Sequence, residues 1–186
     1  MTSSKKQTVE DFERIERAPE NSDRRFELID GVIVERFPTE EQGLVVGVIA
    51  GEIMIYARKN DLGRALVKVH YHVPEDDYNV RMIDISFIPD KTRPLLAKGY
   101  APKLPDLAID VQSRDDVKDL YKSAEFYLLN GSRLVWLAFP ENQSVTVCTL
   151  SASGDVQTRI LDISDTLDGG DVLPGFTLPI KDVFDV

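Results

Sequence analysis

Two apolar stretches constrain the chain more than any other feature. "RMIDISFI", residues 81–88, and "LAIDVQS", residues 107–113, each read as a short core strand broken by a single aspartate, Asp84 and Asp110. An unpaired buried carboxylate is expensive, so a fold containing such strands must supply a metal, a cation or hydrogen-bond donors. If the two strands are neighbours, the carboxylates converge, and one takes up a proton unless a cation sits between them. Hard divalent cations, Mg²⁺ above all, favour such oxygen ligands. The alternative is that each acid lies at a strand end, solvated or paired with an arginine. Spacing alone leaves both readings open.

The remaining elements follow from periodicity and turn chemistry. Thr8 and Asp11 form a helix-start signal ahead of the amphipathic "VEDFERIER". Asp30-Gly31, between the apolar runs of "RRFELIDGVIVERF", predicts a β-hairpin, because both residues tolerate a type I′ turn. Residues 41–60 are long, apolar and proline-free; they read as a buried helix with Gly63 just beyond its end. "RALVKVHYHV" alternates as a strand, with Val67, Val69, Tyr71 and Val73 against Lys68, His70 and His72. "DDVKDLYKSAEFYLLNG" carries a helical apolar stripe. "RLVWLAF", "SVTVCTL" and "VQTRILDI" are further strands, followed by a turn-rich tail. Strands and helices in this mixed order predict an α/β fold: one mixed central sheet flanked by helices, with an N-terminal hairpin. A chain of 186 residues is sized for a single domain, with its core over about 8–184.

Composition narrows the function classes. No apolar run approaches the roughly 18 residues of a membrane span, and the first twenty residues lack the apolar segment of a secretory signal. Cys148 is the only cysteine, which rules out an intramolecular disulfide and makes the cytoplasm the expected compartment. A net charge of −10 argues against a general nucleic-acid coat protein. The segment 91–104 runs the other way, with Lys91, Arg93, Lys98 and Lys103 and no acid: either a local anion site or a solvated loop. His70 and His72 share a strand face without a third ligand at a recognisable spacing, so they read as surface or edge-strand residues. Trp136, Phe87 and Tyr100 read as packing residues. There is no P-loop, GxGxxG or GxSxG motif, which removes nucleotide-dependent and α/β-hydrolase readings.

The segments "RRFELIDGVIVE", "IDISFI", "PDLAIDVQS", "KSAEFYLLNGSRLVWL" and "LPGFTLPIKDVF" occur in an order that resembles a restriction-endonuclease-like family of the PD-(D/E)XK nuclease superfamily. The resemblance covers about Thr8 to Phe184 and implies Mg²⁺-dependent hydrolysis of DNA phosphodiester bonds, with Mn²⁺ able to substitute. It also implies Asp84, Asp110 and the Val111 carbonyl as metal ligands, Lys122 as the cation against the phosphate, and Glu27 as a further ligand or water-orienting group. The chain departs from the pattern at three places: Ile83 for proline, Asp110 for glutamate, and Gln112 where the motif lysine stands. Gln112 could orient a water or phosphate oxygen, and the basic loop residues are candidate substrate contacts. A homodimer suits the cutting of two antiparallel strands. The departures and the acidic charge favour a second expectation, a catalytically degenerate fold serving as a nucleic-acid-binding or assembly module. RNA or an unusual DNA structure is a third.

Overall fold

A computed structural model describes residues 5–114 and 117–185. In chain order the elements are α1 (Val9–Glu16), β1 (Arg25–Ile29), β2 (Val32–Arg36), α2 (Glu40–Lys59), β3 (Arg64–Tyr71), β4 (Arg81–Ile88), β5 (Leu107–Val111), α3 (Val117–Leu129), β6 (Leu134–Phe139), β7 (Ser144–Leu150), β8 (Val156–Leu161), β9 (Thr166–Asp168), β10 (Thr177–Pro179) and α4 (Ile180–Phe184). Asp115 and Asp116, which open the helix expected from the sequence, lie outside the described residues.

Local chemistry accounts for the boundaries. α1 starts at a capping box: Asp11 N–H donates to the Thr8 hydroxyl at 3.3 Å, and Thr8 N–H donates to the Asp11 carboxylate at 3.2 Å. The β1–β2 turn has positive φ at Asp30 and Gly31, 51° and 82°, as a two-residue type I′ hairpin requires. Asn60 caps α2 through its N–H to the Tyr56 carbonyl at 3.0 Å. Gly63 therefore serves a different purpose from the helix stop that its position suggests. At φ +153° it lies against the Ile88 carbonyl, and a Cβ there would collide with that backbone.

The central sheet has six strands in the order β3-β4-β5-β6-β7-β8. Only β5 and β6 run parallel, and α3 is the crossover between them. All other neighbours are antiparallel. Helices α2 and α4 cover one face, where Val45, Ile49 and Ile53 meet Ile85, Ile109 and Trp136. Helix α3 covers the other, with Leu120, Ala124 and Leu128 on Val135, Leu137 and Cys148. The hairpin and α1 form a smaller cluster of Phe12, Phe26, Leu28 and Val80, anchored to the sheet by a Leu28–Val80 bridge.

One expectation needs correction. Helix α2 is buried on one side only; Leu44, Met54 and Ile55 are exposed on the other. Apolar composition without a strong helical stripe suggested burial all round, but α2 has a single neighbouring layer.

Candidate active site

The β3–β4 register pairs Val67 with Ile85 and Val69 with Ile83, and the β4–β5 register pairs Ile85 with Ile109. Extended by one step, these registers set Lys68, Asp84 and Asp110 in a single row across three strands. At that row the regular ladder gives way. Lys68 adopts φ +54°, a left-handed conformation costing about 1–2 kcal/mol for a residue with a Cβ. Side chains replace backbone partners between β4 and β5. Asp84 N–H donates to Asp110 Oδ1 at 3.2 Å, and Val111 N–H donates to Asp84 Oδ2 at 2.9 Å. Two strands held apart by their own carboxylates leave room for a cavity.

That cavity has a volume of about 120 Å³. Asp84, Asp110, Val111 and Lys68 line it from the sheet, Arg25, Glu27 and Arg36 from the hairpin, and Gln42 and Ser123 from helices α2 and α3. Lys68 Nζ forms an ion pair with Asp84 Oδ1. Gln42 Nε2 donates to Asp84 Oδ2 at 3.1 Å and to the Val111 carbonyl at 2.8 Å, so one amide binds both oxygens. The Tyr127 hydroxyl donates to Asp110 Oδ2 at 2.9 Å. Glu27 is buried: it accepts from Met82 N–H at 2.8 Å and pairs with Arg36. It thereby clamps the hairpin to β4 where that strand has no sheet neighbour on this side.

Charge crowding shows in the protonation of Asp110. Burial, then the neighbouring Asp84 and Glu27 carboxylates, push its carboxyl up from 3.8 to about 7. Burial and the Asp110 charge also raise the Tyr127 phenol above its ordinary value, keeping it a donor. Among the described residues no group of three or more His, Cys, Asp or Glu side chains is arranged to hold a metal. The available donor set is two carboxylates and a carbonyl. Such a set fits a hard divalent cation that keeps several waters, and a cation would relieve the crowding at Asp110.

The residues singled out from sequence are distributed unevenly. Asp84, Asp110, Val111 and Glu27 come together in the cavity. Gln112 does not line it: β5 ends at Val111, alternation stops there, and Ser113 takes the lining position while Gln112 N–H donates to the Ala138 carbonyl at 2.9 Å. Lys122 is exposed and pairs with Asp119 at 2.7 Å. The α3 residues facing the cavity are Asp119, Leu120 and Ser123, and Lys122 is turned about 100° from Ser123. None of Lys91, Arg93, Lys98 and Lys103 lines the cavity either. Lys91 pairs with Asp61 at 2.5 Å, and Arg93 donates to the Lys103 carbonyl at 2.5 Å, which folds the loop on itself. The histidines bond separate carbonyls, His70 with Phe26 at 2.9 Å and His72 with Asp76 at 3.1 Å. Trp136 and Phe87 are core residues, and Tyr100 donates to Glu16 at 2.7 Å.

Sequence reasoning missed Lys68, Gln42, Arg36 and the Tyr127–Asp110 bond. Gln42 had a faint signal, as a polar residue one step inside an otherwise apolar helix. Lys68 had none, since a lysine alternating with valines describes any solvated strand face.

A mixed sheet flanked by helices, with acids facing each other where two central strands part, is the restriction-endonuclease-like nuclease fold. The chain belongs to the Uma2 family, described as "Putative restriction endonuclease", whose pattern matches residues 9–181. Among solved structures it is similar to a putative nuclease belonging to DUF820 from Anabaena variabilis ATCC 29413. The TM-score is 0.79 and the identity 20%, over 96% of this chain and 97% of the other, a likeness of fold. No curated protein matches. Among the described residues no helix is long and apolar enough to cross a membrane.

Proposed function

We propose that the protein is an Mg²⁺-dependent endonuclease that hydrolyses DNA phosphodiester bonds, acting as a homodimer in the reducing cytoplasm. The observation that carries this reading is the row of Lys68, Asp84 and Asp110 where β4 and β5 part, with the Val111 carbonyl beside it. Asp84, Asp110 and that carbonyl would hold Mg²⁺ or Mn²⁺; the ion supplies an acidified water and a counter-charge for the phosphate. Tyr127 and the Asp84 N–H orient the Asp110 carboxylate through their hydrogen bonds. Gln42 fixes the positions of Asp84 and the Val111 carbonyl relative to each other.

We assign the phosphate-stabilising cation to Lys68 in place of Lys122. Its ammonium already lies in the cavity, and a left-handed lysine within a strand signals a conformation kept for use. Arg25 and Arg36 line the cavity and are assigned to neighbouring phosphates, and the basic loop residues Lys91, Arg93, Lys98 and Lys103 to more distant ones.

One observation supports a second reading. The Lys68 ammonium and Gln42 amide occupy the oxygens that a metal would take, as in a degenerate fold that binds nucleic acid without cutting it. Supercoiled-plasmid cleavage with Mg²⁺ or Mn²⁺ separates the two, run with chelator and with Asp84→Asn protein. Metal-dependent nicking that disappears in the variant supports the nuclease. Absence of both cleavage and Mn²⁺ binding by calorimetry supports the binding module.

A further inference from the structure

Helix α2 presents an outward face that none of the described residues covers. From Gly43 to Ile55 the sequence "GLVVGVIAGEIMI" contains one charge, Glu52. The outward positions are Gly43, Leu44, Gly47, Val48, Gly51, Met54 and Ile55, with the exposed Glu52 at their edge; Leu44 is 50%, Met54 41% and Ile55 56% exposed. These positions fall on one side at 100° per residue, opposite Val45, Val46, Ile49 and Ile53, which face the sheet. A Cβ at Gly43, Gly47 or Gly51 would meet nothing within 4 Å. Glycine is the poorest helix former after proline, and no contact among the described residues accounts for three of them in one helix.

The ends of this face carry opposite charges. Glu40 and Glu41 lie in the first turn and Arg58 and Lys59 in the last. By helical rotation Glu40 and Arg58 lie on the centre line of the apolar face. Such a pattern is self-complementary in one orientation only, with two copies antiparallel about a two-fold axis.

We propose that α2 is the contact helix of a symmetric homodimer, packed antiparallel on the same helix of a second copy. With the axis at the level of Ile49, Gly47 faces the partner's Gly51, Leu44 faces the partner's Met54, and Glu40 faces the partner's Arg58. Missing side chains at the crossing let the two backbones approach closely, while the larger apolar residues flank them. The contact is isologous, so it closes at two copies and does not propagate. Gln42 ties the start of α2 to Asp84, so the two cavities lie toward opposite ends of a helix pair about 30 Å long. This surface rests on the homodimer of the proposed function and is inferred from the exposed helix; plasmid nicking tests the cleavage chemistry separately from it.

Sedimentation velocity of the full chain over a concentration series tests it. The parent should sediment at twice its 20.9 kDa, and Gly47→Leu should sediment as a monomer while keeping its helical circular dichroism. Leucine is the better helix former, so loss of the dimer in that variant is not loss of the helix. Glu40→Arg and Arg58→Glu should each weaken dimerisation about ten-fold or more, and the two together in one chain should restore it. A role confined to the helix ends would make the double variant the worst of the three, since both changes oppose the helix dipole. A monomeric parent, a dimer that survives Gly47→Leu, or a double variant no better than the singles overturns the assignment.

Discussion

Replacing Asp110 with asparagine should stabilise the metal-free protein in alkaline solution. The Asp110 carboxyl is held at about 7 in the folded chain, against an ordinary 3.8, by burial and by the Asp84 and Glu27 charges. Between those two values the folded state binds a proton that the unfolded state has released, so stability falls as pH rises through this window. The penalty is absent below 3.8 and complete above about 7. At 1.36 kcal/mol for each pH unit, it amounts to about 4 kcal/mol, part of which belongs jointly to Asp84 and Glu27. The substituted amide would keep the acceptor for the Asp84 N–H and roughly the same volume, but could not ionise. Urea unfolding of Asp110→Asn and parent, with chelator present, should show the variant ahead by a few kcal/mol near pH 8 and level with the parent near pH 4. Equal stability at pH 8, or an advantage of the same size at both, would refute a carboxylate crowded by its neighbours.

Three further outcomes are expected. Lys68→Met should reduce plasmid nicking by about 100-fold or more, the scale of losing one electrostatic group from an active site, whereas Lys122→Ala should stay close to the parent. Equal losses would return the cation role to α3. Glu27→Gln should loosen the hairpin, because Arg36 loses its charged partner while Met82 N–H keeps an acceptor; faster amide exchange in β1 and β2, with β6 and β7 unchanged, would register it. Ile49→Ala, beneath α2 on the main core, should cost about 2–5 kcal/mol in urea unfolding without altering metal binding.

Much of the architecture was legible in the chain itself because its causes are local. The Thr8–Asp11 cap, the Asp30-Gly31 turn and the alternation of β3 each follow from residues a few positions apart. Asp84 and Asp110 stood out for a similar reason: a lone acid within an apolar strand is visible without knowing the strand's neighbours. Helix α3 was readable as a stripe, but which of Lys122 and Ser123 faces the cavity depends on how that stripe sits on the sheet.

The cation opposite Asp84 was decided by register. Lys68 and Asp84 are 16 residues apart, and only the β3–β4 pairing, with its irregularity at φ +54°, turns an ordinary strand lysine into the carboxylate's partner. Gln42 reaches Asp84 and the Val111 carbonyl across 42 and 69 residues. Arg36 reaches Glu27 only because the hairpin turn folds β2 back on β1. The open side of α2 likewise depended on how many layers pack against it, which no periodicity encodes. The sequence by itself determined which elements form and which acids are costly to bury, since both depend on short-range chemistry. Tertiary structure alone decided which groups answer those acids, because hydrogen bonds and charge pairing act over a few ångströms and the partners are distant along the chain.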